Sequence, residues 1–269
     1  MSRITQKFYD ICKIKSDDIA VVYSRKNKMI KKTYKDLYGD FINVRQYLLK
    51  LGVKKGDRIL TLTNDSYQLC LYMMAIISLG ATVMYVNILA RQETLRNIFN
   101  RFCPKYVLLS NKTKILKLLI KPINEIENII NIDKIDKYKE EQKNNIEFDE
   151  IDEKEIALLT MTTGSSGTPK IAIRTHEDLH NQLELIDNNI NKINDDEYIL
   201  TTSFMYVFAN IVNGYSTIIP DINLKSKNIK KLNKKLEVFK NLNISTIITS
   251  PDFALYTKNI FIKDRKSVV

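Results

Sequence analysis

The residues best suited to chemistry lie in one stretch, Leu158-Leu159-Thr160-Met161-Thr162-Thr163-Gly164-Ser165-Ser166-Gly167-Thr168-Pro169-Lys170. An apolar run typical of a buried strand leads into hydroxyls and glycines and closes on Pro-Lys. Gly164 and Gly167 let the backbone turn so that N–H groups converge, and Thr162, Thr163, Ser165, Ser166 and Thr168 add hydroxyl donors. Lys170 supplies a positive charge. The set suits a polyphosphate. It is not a Walker-type loop, because Lys170 follows Pro169 rather than Gly and precedes Ile171. Composition alone leaves a plain Gly/Ser turn between strands as an equal reading.

A second pattern, His176-Glu177-Asp178-Leu179-His180, spells HExxH. On a helix its two histidines share a face, and Glu177 could serve as a base beside zinc. Its setting argues otherwise. His176 falls in the first turn after Thr175, Asp178 places a charge where such enzymes prefer a neutral residue, and the chain has only 2 His. An exposed helix start, capped by Thr175 with acids favoured by the helix dipole, accounts for the pattern. No metal-binding set is therefore assigned, and a zinc hydrolase stands as the lesser alternative.

The elements that must position these residues alternate. Thr33-Tyr34-Lys35-Asp36 has the form of a capping box, followed by Leu37, Phe41, Val44, Leu48 and Leu51 at helical spacing and by Gly52 as a left-handed stop. Beyond the turn Lys54-Lys55-Gly56-Asp57, strands are expected at 58–63, 82–86 and 106–109, with helices at 66–79 and 92–102. Residues 133–155 are acidic and lysine-rich with little periodicity, and read as a surface connection. Further strands are expected at 156–161, 171–174, 198–201, 217–219 and 246–248. The accompanying helices fall at 177–190, 204–212 and 230–239, with one beginning near Pro251. Apolar strands alternating with amphipathic helices define an α/β class: layered βαβ sub-domains with largely parallel sheets. The partition expected is 1–132, a connection at 133–155, and a second sub-domain at 156–263, with no convincing internal repeat.

Composition excludes several classes. The chain has 269 residues, 44% hydrophobic and 27% charged, with 7 Gly and 5 Pro, which is ordinary for a globular protein. The formal charge of +11 invites a nucleic-acid reading. However, the lysines are spread among Asn and Ile, as AT-rich coding gives, without a basic cluster interleaved with aromatics, so no nucleic acid is expected. Cys12, Cys70 and Cys103 form neither a CxxC pair nor a disulfide framework, and a reducing cytoplasm is expected. The amino terminus lacks a signal-peptide apolar stretch. Runs 66–90 and 198–220 carry no charge and are long enough to span a bilayer. Gly80 breaks the first, and Asn210, Asn213 and Gly214 interrupt the second. Buried helix–strand pairs are expected instead, with no transmembrane segment.

Residues 162–170 resemble the signature loop of the adenylate-forming superfamily, which includes acyl-CoA synthetases, luciferases and peptide-synthetase adenylation domains. Thr33-Tyr34-Lys35-Asp36-Leu37 and the Leu51 to Arg58 turn are similar to that family's first helix and the turn after it. Leu79-Gly80-Ala81 and Thr175-His176-Glu177-Asp178-Leu179 also fit. The resemblance implies ATP-dependent activation of a carboxylic acid, fatty or otherwise hydrophobic, to acyl-AMP. The acyl group then passes to CoA, a carrier-protein thiol or another acceptor. ATP and Mg²⁺ are the implied cofactors. The loop would hold the departing phosphates through Thr162, Thr163, Gly164, Ser165, Ser166, Gly167, Thr168 and Lys170. The family lines its acyl pocket near 207–221, which makes Tyr206, Val207 and Phe208 pocket candidates. Two departures stand out: Ile171 where the family usually has Gly, and Tyr206 where many members have His.

The family is about twice this length, and its catalytic lysine is expected beyond Val269, so the chain alone is expected to be inactive. Asp264-Arg265-Lys266-Ser267-Val268-Val269 is what the common sequencing-adapter sequence GAT-CGG-AAG-AGC-GTC-GTG encodes, so 264–269 is expected to be adapter-derived. The alternative function is a non-catalytic nucleotide- or partner-binding remnant.

Overall fold

Apolar strands and one-sided helices assemble into two open α/β units. The computed structural model describes residues 1–25, 28–63, 67–86, 92–113, 126, 128–133, 148–162, 170–190, 194, 196–220, 222, 229–251 and 253–254. In chain order the elements are α1 (Arg3–Ile14), β1 (Ile19–Arg25), β2 (Lys28–Thr33), α2 (Tyr34–Lys50), β3 (Arg58–Leu62), α3 (Tyr67–Ser78), β4 (Thr82–Tyr85), α4 (Gln92–Phe102), β5 (Tyr106–Leu109) and β6 (Ile129–Asn131). There follow β7 (Ile156–Thr162), β8 (Lys170–Thr175), α5 (His176–Asn189), β9 (Tyr198–Thr201), α6 (Phe204–Val212), β10 (Thr217–Ile219), α7 (Ile229–Leu236), a 3₁₀ turn (Glu237–Phe239) and β11 (Ile244–Ile248).

The first unit, residues 1–6, 39–64 and 71–181, holds a six-stranded sheet in the order β6-β5-β3-β4-β7-β8. Its pairings are parallel except the last, where β7 and β8 form an antiparallel hairpin. A strand between parallel neighbours is covered on both faces, so its sequence is a continuous apolar run rather than an alternation. All four residues of β5 are buried accordingly. On α4, Leu95, Ile98, Phe99 and Phe102 recur at i, i+3, i+4, i+7 and pack on Leu60, Leu62, Met84 and Val86. Each such side chain contributes about 1.5–3 kcal/mol when fully buried.

The second unit, residues 7–38, 65–70 and 182–269, holds five strands in the order β11-β9-β10-β1-β2. These pair in parallel except for the β1–β2 hairpin. Its core sets Val22, Leu200 and Ile218 against Leu232, Leu236 and Phe239.

Most expected elements are present, with three differences. The first 33 residues, unassigned from sequence, form α1 and the β1–β2 hairpin. The two units are discontinuous in sequence, whereas the sequence suggests a cut at 133–155: the hairpin β1–β2 joins β9, β10 and β11, and β7 joins β4. The strand expected at 171–174 runs over 170–175 and pairs antiparallel with β7 at the sheet edge. The two uncharged runs resolve into α3 with β4 and β9–α6–β10. Among the described residues no helix is long and apolar enough to cross a membrane. Pro251, Phe253 and Ala254 are helical, while 255–269 lie outside the described residues.

Local signals behave as their chemistry dictates. Thr33 N–H donates to Asp36 Oδ2 at 3.1 Å and Asp36 N–H donates to Thr33 Oγ1 at 3.1 Å, a reciprocal cap for α2. At its far end Gly52 takes φ 81°, its N–H donating to Leu49 O and that of Val53 to Leu48 O. Only glycine reaches that backbone region without a steric penalty.

Candidate functional site

The site is built on the β7–β8 hairpin. Thr162 and Lys170 are register partners at its tip, so the candidate phosphate loop spans the gap between two paired strand ends. This is the carboxyl end of β7, whose parallel neighbour is β4, and open α/β sheets bind ligands outside such ends. Lys170 is exposed. Thr163, Gly164, Ser165, Ser166, Gly167 and Thr168 lie outside the described residues, as does the side chain of Thr162.

Two faces of the hairpin do different work. Leu159, Met161 and Ile171 pack against the apolar cluster of Leu60, Met84 and Phe99. That contact explains Ile171: it anchors the first residues of β8 to the core. On the opposite face, Lys170, Ala172 and Arg174 alternate along β8, and Arg174 Nη1 donates to Thr160 Oγ1 at 2.7 Å. A cation tied to the neighbouring strand's hydroxyl fixes the pairing register next to the loop. Sequence reasoning missed Arg174, although its spacing from Lys170 on a strand was the available signal.

The far ends of both strands are tied as well. Thr175 N–H donates to Asp178 Oδ2 at 2.9 Å and Asp178 N–H to Thr175 Oγ1 at 3.0 Å, which caps α5. The hydrogen bonds from Thr175, the backbone one foremost, hold the Asp178 carboxyl below its ordinary value. His176 N–H donates to Glu155 O at 3.0 Å and Glu177 N–H to Glu153 O at 2.9 Å, joining the start of α5 to the turn that enters β7. Lys55 Nζ pairs with Glu155 Oε1 at 2.8 Å in the same region.

His176 is the main surprise. The sequence suggests an exposed helix start, yet its side chain is fully buried, 0% exposed, and neither ring nitrogen has a hydrogen-bond partner among the described residues. Burial pushes its pKa below the usual value, only partly opposed by Glu153 and Glu155. The residue points inward because it occupies the first helical position after an edge strand. No group of three or more His, Cys, Asp or Glu side chains that could hold a metal is gathered among the described residues.

The acyl-pocket candidates sit on α6 in the second unit. Val207 and Phe208 are buried, with Phe208 stacked on Phe204 at 6.0 Å, while Tyr206 is half-buried. Ser203, at the α6 N-cap, makes no side-chain cap bond. Nearby, at the carboxyl ends of β9 and β11, the hydroxyls of Thr202 and Thr249 lie 2.6 Å apart. These side chains and Lys170 belong to different units.

Two open, largely parallel sheets with a hydroxyl-, glycine- and lysine-bearing connection at a parallel strand's carboxyl end define an α/β protein. The chain belongs to the AMP-binding enzyme family, which matches residues 8–257. It is similar in structure to the N-terminal domain of FACL13 from Mycobacterium tuberculosis, with TM-score 0.80 and 17% identity over 97% of this chain and 66% of that one. It is also similar to a fatty acyl CoA synthetase from Mycobacterium tuberculosis, with TM-score 0.77, 17% identity, and 96% and 51% of the two chains covered. A third likeness is to o-succinylbenzoate CoA synthetase from Bacillus subtilis in complex with its acyl-adenylate intermediate. There the TM-score is 0.74 at 15% identity, over 94% and 50% of the two chains. The chain therefore spans only about half of those two synthetases. No curated protein matches it significantly.

Proposed function

We propose that this chain is the ATP-gripping N-terminal part of an adenylate-forming ligase acting on a fatty or other hydrophobic carboxylic acid. The observation that carries the reading is the hairpin: 163–169 bridge a pair of strand ends at the sheet's carboxyl edge, in a chain whose family is AMP-binding. The donor set fits a polyphosphate, since 162–170 hold five hydroxyls, two glycines, one lysine and no carboxylate. In the reaction the acid's carboxylate attacks the α-phosphorus of ATP, and pyrophosphate leaves with the electron pair of the broken P–O bond. Such transfer depends on position and charge neutralisation more than on covalent help. Lys170 holds negative charge on the departing phosphates, and the hydroxyls of Thr162, Thr163, Ser165, Ser166 and Thr168 donate to their oxygens. Mg²⁺ would share that charge when bound with ATP. Tyr206 on α6, more open than Val207 and Phe208, is the side chain we propose to meet the acyl chain. CoA or a carrier-protein thiol then takes the acyl group.

The chain by itself is proposed to be inactive, and the activity to reside in a protein of the length of its synthetase neighbours. ATP–pyrophosphate exchange by that protein over a panel of fatty and aryl acids tests the reading. Exchange should appear with hydrophobic acids and fall about 100-fold or more in Lys170→Ala, with the thermal melt unchanged. Undiminished exchange in that variant would end the assignment.

A further inference from the structure

The junction between β8 and α5 closes both feet of the hairpin, and among its described residues the His176 ring and Glu153 Oε2 are buried without hydrogen-bond partners. Thr175 and Asp178 cap each other, and the first two N–H groups of α5 reach Glu155 and Glu153 carbonyls. The His176 ring sits there fully buried, with both nitrogens unpartnered among the described residues. The neighbouring acids each face a cation or a donor, although Glu153 Oε2 itself makes no hydrogen bond. Glu155 pairs with Lys55 Nζ at 2.8 Å, and Glu153 takes the Arg3 N–H at 2.6 Å with Arg3 Nε 3.6 Å away. Arg3 also reaches Glu177 at 3.3 Å, and Asp178 is held by Thr175. A protonated ring would add a buried charge beside Lys55, at the positive end of a helix, and the one buried carboxylate oxygen without a hydrogen bond there, Glu153 Oε2, already faces the Arg3 guanidinium at 3.6 Å.

We propose that this junction is a proton-sensitive clamp, in which neutral His176 lets the turn before β7 and the start of α5 lock together and protonation releases them. The clamp itself is independent of the nucleotide reading; only its consequence for phosphate binding rests on that reading. Its direction follows from linkage. The folded ring is harder to protonate than the ordinary value of 6.5, so acid favours the opened form. Closure is complete above that value and is lost as pH falls below it, the opened fraction rising up to about tenfold per pH unit for one proton.

The chain's two histidines make the test clean. Imidazole ¹⁵N resonances of the labelled chain are followed from about pH 8 to pH 5, with His180→Gln assigning the remaining signal to His176. His176 should stay neutral well below the ordinary imidazole value of 6.5. In parallel, amide exchange in β7 and β8, corrected for its intrinsic pH dependence and referenced to β3, should rise several-fold, up to about tenfold, from pH 7.5 to 5.5. His176→Phe should flatten that rise. An ordinary titration of His176, or an equal rise in the Phe variant, would overturn the clamp. Should His176→Phe not fold, the ring titration in the His180→Gln chain decides alone. No ATP enters either measurement, so failure here leaves the pyrophosphate-exchange test untouched.

Discussion

Set side by side, the two sheets follow one plan. The order β11-β9-β10-β1-β2 in the second unit matches β5-β3-β4-β7-β8 in the first, each with parallel strands and an antiparallel hairpin at one edge. Each hairpin carries a register shift at its start, between Ile19 and Val21 in one and Ile156 and Leu158 in the other. Each runs into a helix through a Thr-x-x-Asp cap. Tyr34 and Lys35 N–H groups reach Asp18 and Ser16 carbonyls, just as His176 and Glu177 reach Glu155 and Glu153. The repeat is permuted, since the hairpin leads in one unit and trails in the other, and sequence similarity between the copies is confined to a few turn residues. The difference lies in the connections. Two residues separate Arg25 from Lys28, whereas seven separate Thr162 from Lys170. The scaffold is shared, and the chemistry we propose belongs to the longer connection.

The sharpest way to break this comparison is to remove the equivalent lysines. Lys170→Ala should lower pyrophosphate exchange by the complete ligase about 100-fold or more, whereas Lys28→Ala should leave it within about twofold. Equal losses would mean that the lysines act through general charge rather than through the loop.

A second contrast concerns the glycines that end the matching helices, Gly80 after α3 and Gly214 after α6, at φ 66° and 83°. A Cβ at Gly214 would meet Ile11 Cδ1 at 2.8 Å, while one at Gly80 would meet the flexible Lys55 Cγ at 3.1 Å. Both Ala variants bear the left-handed backbone penalty of about 1–2 kcal/mol, and Gly214→Ala adds an apolar clash of about 1–2 kcal/mol. Urea denaturation should rank Gly214→Ala as the more destabilised. The reverse order would show that Lys55, held by Glu155, is the less yielding neighbour.

The aromatic first residues of α2 and α5 offer a third contrast. Tyr34 and His176 are both fully buried, but the Tyr34 hydroxyl lies 3.2 Å and 3.3 Å from the carbonyls of Ile211 and Tyr215, and His176 has no such acceptor among the described residues. Tyr34→Phe should therefore cost about 1–2 kcal/mol, and His176→Phe at pH 7.5 should cost nothing or stabilise slightly. A loss from His176→Phe as large as that from Tyr34→Phe would point to a hidden partner for the ring.

How far the sequence revealed this depended on where each signal sits. Helix α4 and strands β5, β9 and β10 were legible to the residue, because a four-residue apolar stripe or a continuous buried run leaves little choice of period. Strand β2 was not. It is an edge strand that tolerates Lys28, Lys31 and Lys32, so its sequence shows no apolar run. Helix α1 was missed for a similar reason, only Ile4, Phe8 and Cys12 among its apolar residues being fully buried. At the site, the order of hydroxyls, glycines, Pro169 and Lys170 was readable as chemistry. The bond from Arg174 to Thr160 and the burial of His176 were not, because the first depends on the antiparallel pairing of β7 with β8 and the second on how the start of α5 packs, and composition announces neither.

The smallest effect tests whether the two caps are equivalent. Thr33→Ala and Thr175→Ala each remove one reciprocal cap bond, and each should cost about 1 kcal/mol in urea denaturation at neutral pH. Their acid behaviour adds a check on the junction. Asp178 has its carboxyl held below the ordinary 3.8, so its contribution is present above that value and disappears as pH falls through the lowered one. Asp178→Asn should therefore flatten the stability curve below about pH 4 and leave the window between pH 5 and 6.5 unchanged. That upper window belongs to His176. If Asp178→Asn instead removed the slope in the upper window, the cap rather than the buried ring would be the proton-sensitive part of the junction.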